Sequence, residues 1–286
     1  MRTDLRTVEL VAPPDLAGVL ALLATGEHRP FAGGTDLMVL AEAGTLPAAR
    51  FVSLWHLDAL RGVTIGDEGA RLGALTTYTD VRAHAELGRD WPLLARAAAE
   101  TGGIAIQNRG TLGGNVANAS PAADSPPALL VYDAELELLS ARGTRRVPYA
   151  DFHLGYRRMD LRPDEIIAAV HLPARAAGWR DAYHKVGTRR AQAISKVCFA
   201  GAALLDGDRV RDVRLAWGSV APVPLRARRT EAVLRGERLG PALLRAAGEE
   251  LGRELAPVDD FRSTAEYRRR VAQNLLAAWL DELGRG

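Results

Sequence analysis

Phe31-Ala32-Gly33-Gly34-Thr35-Asp36-Leu37 sets two adjacent glycines between a strand pattern and a helix pattern, and the fold turns on how this stretch is read. Without a Cβ, Gly33 and Gly34 let the backbone take positive φ and let another group come close, while free N–H groups at the helix start point outward. Such a turn can hold a phosphate. Alone it reads more simply as a tight turn, with Thr35 or Asp36 capping the next helix. Gly110-Thr111-Leu112-Gly113-Gly114-Asn115 repeats the device, with a hydroxyl before the glycine pair and an amide after it. Two opposed nests of N–H groups suit a diphosphate better than a single phosphate. Neither stretch continues as Gly-Lys-Ser/Thr or as Gly-x-Gly-x-x-Gly, which disfavours a P-loop and a Rossmann turn.

Working outward, Pro13, Pro14 and Asp15 start a helix whose buried face is Leu16, Val19, Leu20, Leu22 and Leu23. A short strand should run into Phe31, and a helix from the glycine turn to about Ala43. Strands are expected near residues 50–54, 63–65 and 71–75, with helices near 79–87 and 91–101. Over 102–127 periodicity fades into Gly, Asn, Ala, Ser and Pro with few charges, which predicts a long ordered loop of the kind that binds something. There Asn118, Ser120, Asp124 and Ser125 offer groups for ribose or ribityl hydroxyls; Asp124 reads equally as the cap of a short 126–132 helix. Alternation at Leu136, Leu138, Val147, Ile166, Ile167, Val170 and Leu172 predicts antiparallel strands, with a boundary at 173–178. Beyond it come strands near 182–186, 197–205 and 210–217, a hairpin turn at Asp206-Gly207-Asp208, and helices near 225–234, 241–255 and 264–283. Strands grouped before helices make this an α+β domain.

The 286 residues, 48% apolar, suffice for a large core and fall near two domains. A net charge of +2, from 37 basic and 35 acidic residues, singles out neither nucleic acid nor an anionic membrane. Lys185 and Lys196 are the only lysines, and most of the arginines, the 268–270 run included, read as solvated helix faces. The sole cysteine, Cys198, excludes an internal disulfide, a protein-bound iron–sulfur cluster and a thiolate-rich zinc site, and its apolar neighbours make it a core residue. The scattered histidines lead us to expect no metal. Residues 16–24 are too short to span a bilayer and follow Asp4, Glu9 and Asp15 rather than a basic leader, so a cytoplasmic protein is expected.

The two glycine stretches, with Ala119-Ser120-Pro121-Ala122-Ala123-Asp124, resemble the diphosphate loops of the FAD-binding subunit of molybdenum hydroxylases. That family includes the medium subunit of carbon monoxide dehydrogenase and the flavin domain of xanthine dehydrogenase. The likeness continues through Asp164-Glu165-Ile166-Ile167, Leu172-Pro173, His184-Lys185-Val186-Gly187-Thr188-Arg189-Arg190 and Ile194-Ser195-Lys196-Val197, covering nearly the whole chain in order.

The resemblance implies an α+β fold: a vanillyl-alcohol-oxidase-type FAD-binding domain over residues 1–175, in subdomains of roughly 1–55 and 56–175. A C-terminal α+β domain, a three-stranded sheet with helices, would follow over 176–286. It implies non-covalent FAD, with Phe31, Ala32, Gly33, Gly34, Thr35, Asp36 and Leu37 on the diphosphate, together with Gly110, Thr111, Gly113, Gly114 and Asn115. Asn118, Ala123 and Asp124 would lie along the ribityl and ribose, Ile167 near the adenine or ring edge, and Lys185 near the flavin, where a cation favours the anionic reduced ring. Some relatives carry Ser in place of Ala123, and others an acidic residue near Gln192, so the acceptor is left open. A branch with an extra iron–sulfur cluster in this subunit is excluded by the lone Cys198.

By the same resemblance the molybdenum cofactor sits in a large subunit and [2Fe–2S] clusters in a small one, in a doubled heterotrimer. This chain would pass electrons from FAD to a quinone, NAD⁺ or oxygen. No acid/base dyad or nucleophile is evident. Two other readings stay open: a stand-alone FAD oxidase or dehydrogenase, and a nucleotide-binding scaffold without redox chemistry.

Overall fold

Three short parallel strands, β1 (Glu9–Val11), β2 (Arg29–Phe31) and β3 (Arg50–Ser53), pair in the order β1-β3-β2, and the first glycine turn leaves β2 at its carboxyl end. The computed structural model describes residues 4–189 and 192–285, so Arg190 of the 184–190 stretch lies outside the described residues. Helix α1 (Leu16–Ala24) makes the crossover from β1 to β2. The Asp15 carboxylate accepts from the Gly18 N–H at 2.8 Å and fixes its start. Its face of Val19, Leu20 and Leu23 packs on Val52 and Leu54, while Leu22 is only partly buried. Helix α2 (Leu37–Glu42) follows the glycine turn.

The second sheet begins with β4 (Val63–Gly66) and β5 (Gly69–Gly73). Its chain then runs through α3 (Tyr78–Ala83), α4 (Ala85–Asp90), α5 (Pro92–Glu100), α6 (Ile104–Gln107), α7 (Leu112–Ala117) and α8 (Pro126–Val131). It returns as β6 (Glu135–Ser140) and β7 (Gly143–Pro148), makes a separate hairpin of β8 (His153–Gly155) and β9 (Arg158–Met159), and closes with β10 (Ile166–Pro173). The antiparallel order is β4-β5-β10-β6-β7. The single helix expected over 79–87 is two, because His84 is extended (φ −82°, ψ 107°) between them. The expected 102–127 loop holds α6 and α7. Glycines tolerated in a first helical turn hid α7 from a reading by composition.

The third sheet, β11 (Arg180–Val186), β12 (Val197–Asp206), β13 (Arg209–Gly218) and β14 (Leu225–Arg226), is antiparallel in chain order. The two-residue β14 adds a fourth strand to the three expected and takes the start of the predicted 225–234 helix, leaving α9 (Arg228–Leu234). Gly207 at φ +58° turns the β12–β13 hairpin. Helices α10 (Pro241–Glu254) and α11 (Ala265–Arg285) complete this half. Phe199 lies 4.4 Å from the Trp217 ring and 5.5 Å from that of Trp279, between centroids. Cys198 is fully buried, and that burial pushes its thiol up.

One arginine corrects the reading of 268–270 as a solvated face. Arg268 is 2% exposed, pairs with Asp260 at 2.7 Å, and donates to the carbonyls of Lys196 and Ser219 at 2.9 and 3.0 Å. It continues the buried stripe of Ala272, Leu276 and Leu280 at four-residue spacing.

Candidate functional site

The two glycine turns, far apart in sequence, meet. A Cβ built on Gly33 would fall 1.8 Å from the Arg109 carbonyl oxygen and 3.4 Å from the Gly110 nitrogen, so only glycine permits the contact. Gly34 takes φ +76° over the Phe31 ring. The N–H groups of Gly33, Gly34, Thr35, Asp36 and Leu37 have no acceptor among the described residues; the first donor to fold back is that of Met38, onto Gly34 O at 2.9 Å. Asp36 stands at the N-cap, yet its exposed carboxylate makes no capping bond. The reason is conformational: Asp36 is already helical (φ −94°, ψ −45°), whereas a capping side chain reaches the second or third amide from an extended backbone.

The second turn differs. Gly110 donates to Ile106 O at 2.6 Å, Leu112 to Thr76 O at 2.9 Å, Gly113 to Ala74 O at 2.9 Å and Asn115 to Thr111 O at 2.9 Å. The Gly114 N–H is held by Thr111 Oγ1 at 3.1 Å, which caps α7. The expectation of two open nests is corrected to one open nest and one closed helix start, where Thr111 keeps its own N–H and hydroxyl proton. A Cβ on Gly113 would lie 2.6 Å from that of Ala74, so this glycine serves close packing. The Tyr78 ring lies under Gly110, and burial pushes its phenol up. Asn115 Oδ1 accepts from the Ser125 hydroxyl.

Sequence reasoning missed the cations beside these turns. Trp55 follows β3, level with the first turn because Leu54 donates to Phe31 O at 2.8 Å. Arg109 and Arg61 stack on its ring at 3.8 and 4.5 Å from the centroid. Among the described residues no carboxylate pairs with either guanidinium. Arg109 directly precedes the second turn, which is the signal that could have found it.

Ser125, not Asp124, takes the N-cap position of α8. The Asp124 carboxylate instead meets Lys185 Nζ at 2.6 Å and accepts from Ser195 Oγ at 2.6 Å. Lys185, its side chain 6% exposed, donates a second bond to Glu100 O at 2.8 Å and is not a surface lysine. Burial pushes the Asp124 carboxyl up, against the downward pull of Lys185 and Ser195. Ala123 is buried one residue away, and half-buried Asn118 ends α7. Ile167 is buried in the five-stranded sheet opposite Leu138, in the same core as Leu112 and Val116 of α7, and β10 is joined to the second turn through Ala168 O, Ala74 and Gly113.

Comparison with known proteins matches residues 6–175 to the FAD-binding domain of molybdopterin dehydrogenases and residues 182–283 to the C-terminal domain of the carbon monoxide dehydrogenase flavoprotein. The xanthine dehydrogenase FAD-binding subunit of Escherichia coli O157:H7 is 33% identical over 270 residues, covering 93% of this chain and 92% of that one. The glyceraldehyde dehydrogenase medium chain of Sulfolobus acidocaldarius is 31% identical over 247 residues, covering 86% and 87%. The structure of carbon monoxide dehydrogenase from Hydrogenophaga pseudoflava lacking the Mo-pyranopterin moiety superimposes with a TM-score of 0.91 at 27% identity, over 95% of each chain. Among the described residues no helix is long and apolar enough to cross a membrane.

Proposed function

The chain belongs to the FAD-binding medium subunits of the molybdenum hydroxylases, FAD-dependent oxidoreductase subunits of the carbon monoxide and xanthine dehydrogenase type, and on that premise we propose that it is the electron-exit chain of a three-chain assembly. A small partner with [2Fe–2S] clusters would deliver electrons, a large partner would hold the molybdenum cofactor, and the heterotrimer would be doubled in the cytoplasm. The acceptor would be a quinone, NAD⁺ or oxygen. FAD, the cofactor of this subunit class, supplies a ring that takes up electrons singly and passes them on.

One observation carries the reading: five successive amides, 33–37, stand open where the two turns meet. At ~1.5–3 kcal/mol for each hydrogen bond to a charged group, they offer on the order of 10 kcal/mol to a diphosphate. After the costs of association, micromolar or tighter affinity remains. Thr111 would add an amide and a hydroxyl, while Gly110, Gly113, Gly114 and Asn115 shape the wall and Arg109 and Arg61 offset the phosphate charge. Asp124, Asn118 and Ala123 would line the ribityl and ribose. Lys185 has committed two of its three ammonium donors, and the third is proposed for the cofactor. Relatives named for xanthine, glyceraldehyde and carbon monoxide match this chain over most of its length, which supports placing substrate choice in another polypeptide.

Two measurements test this. The purified chain should show a flavin spectrum with one FAD per chain; a colourless protein that cannot be reconstituted with FAD would overturn the binding site. Gel filtration of the native assembly with metal analysis should find iron and molybdenum co-eluting, and native chain free of both would overturn the relay.

A further inference from the structure

The Asp124 segment is gripped from the third sheet and the segments flanking its strands at more points than a buried ion pair needs. Ser195 Oγ donates to Asp124 Oδ1 at 2.6 Å, and the Tyr183 hydroxyl donates to the Asp124 carbonyl at 3.0 Å. The Cys198 thiol, 3.2 Å away, donates to the Tyr183 oxygen. Ser219 extends the grip: its N–H donates to Pro121 O at 2.7 Å and its hydroxyl to Ser195 O at 2.8 Å. Arg268, anchored on Asp260, in turn binds the carbonyls of Ser219 and Lys196. On the other side Ser125 passes the connection to Asn115 of the second glycine turn. Hydrogen bonds and the Asp124–Ser125 peptide thus link α11 to Asn115 of the second glycine turn. Ser195 is fully buried, and Tyr183 and Asp124 are 6% and 7% exposed, so water does not compete for these bonds.

We infer that Ser195 and Tyr183 are positioning residues for the cofactor: they fix the carboxylate and the carbonyl of Asp124, and make the affinity of the cleft for FAD depend on the C-terminal sheet. This rests on the FAD site proposed above. Neither residue touches the glycine turns; each acts through Asp124. Their hydroxyls differ from others in the same half of the chain by where they lead. Thr230 Oγ1, equally buried, donates to Glu254 at 2.5 Å and leads to the end of α10 instead.

The test is a titration of the full chain with FAD, followed by quenching of flavin fluorescence and by the visible circular dichroism of bound flavin. The proteins are wild type, Ser195→Ala, Tyr183→Phe and the control Thr230→Val, with melting temperatures taken before FAD is added. Ser195→Ala and Tyr183→Phe each remove one oxygen and little volume, so either one that folds carries the test. Each should weaken FAD binding by about 10-fold and alter the flavin dichroism, whereas Thr230→Val lowers the melting temperature and leaves affinity within about 2-fold. Variants that bind FAD like wild type, at whatever melting temperature, overturn the inference and spare the site. A wild-type chain that takes up no FAD overturns the site itself and the inference with it.

Discussion

The two glycine turns carry nearly the same residues and do different work. Around Gly33 and Gly34 the backbone leaves its N–H groups unspent on a small three-stranded layer; around Gly113 and Gly114 the amides close onto Ala74, Thr76 and Thr111 in the main core. A glycine pair is therefore not itself an anion site. What decides is whether the amides at the start of the following helix find acceptors, from a capping side chain or from carbonyls elsewhere in the fold. Thr111 is extended at its cap (φ −113°, ψ 152°) and its side chain satisfies Gly114, whereas Asp36 is helical and its side chain caps no amide.

The contrast breaks most readily at Gly33. Gly33→Ala must part the two turns, and losing two donors at ~2 kcal/mol each should weaken FAD binding by about 1000-fold in a fluorescence titration. Gly113→Ala should act on the fold instead. Its Cβ crowds Ala74, an overpacking that costs about 1–3 kcal/mol in urea unfolding while the folded protein keeps FAD affinity within about 3-fold. Thr111→Val, which loses the α7 cap, should cost about 1 kcal/mol in the same assay. Asp36→Asn is the mildest change. With no cap to lose, stability should hold within about 0.5 kcal/mol, and removing a screened negative charge beside the anion should tighten FAD binding by about 3-fold.

Much of this was readable from the chain, because it rests on local signals. The strand-turn-helix over 29–42 follows from Gly33-Gly34 set between apolar runs, and the 206–209 hairpin from a two-residue turn with glycine. Helix α7 was hidden because its first turn is Leu-Gly-Gly, which propensity assigns to a loop while Thr111 and the Ala74 carbonyl overrule it. Arg268 was misread because charge suggests solvent, although its spacing to Ala272 and Leu276 marked the buried stripe. The Asp124–Lys185 pair spans 61 residues, and nothing local announces such a contact. Likewise, whether a turn's amides are open or spent depends on carbonyls brought from elsewhere, here Ala74 and Thr76.

Amide hydrogen exchange of the purified chain, read residue by residue with and without FAD, tests the difference between the turns most directly. Residues 33–37 should exchange fast alone and become protected when FAD is added, while 112–114 should be slow in both conditions. Protection gained at 112–114, or none gained at 33–37, would contradict the account.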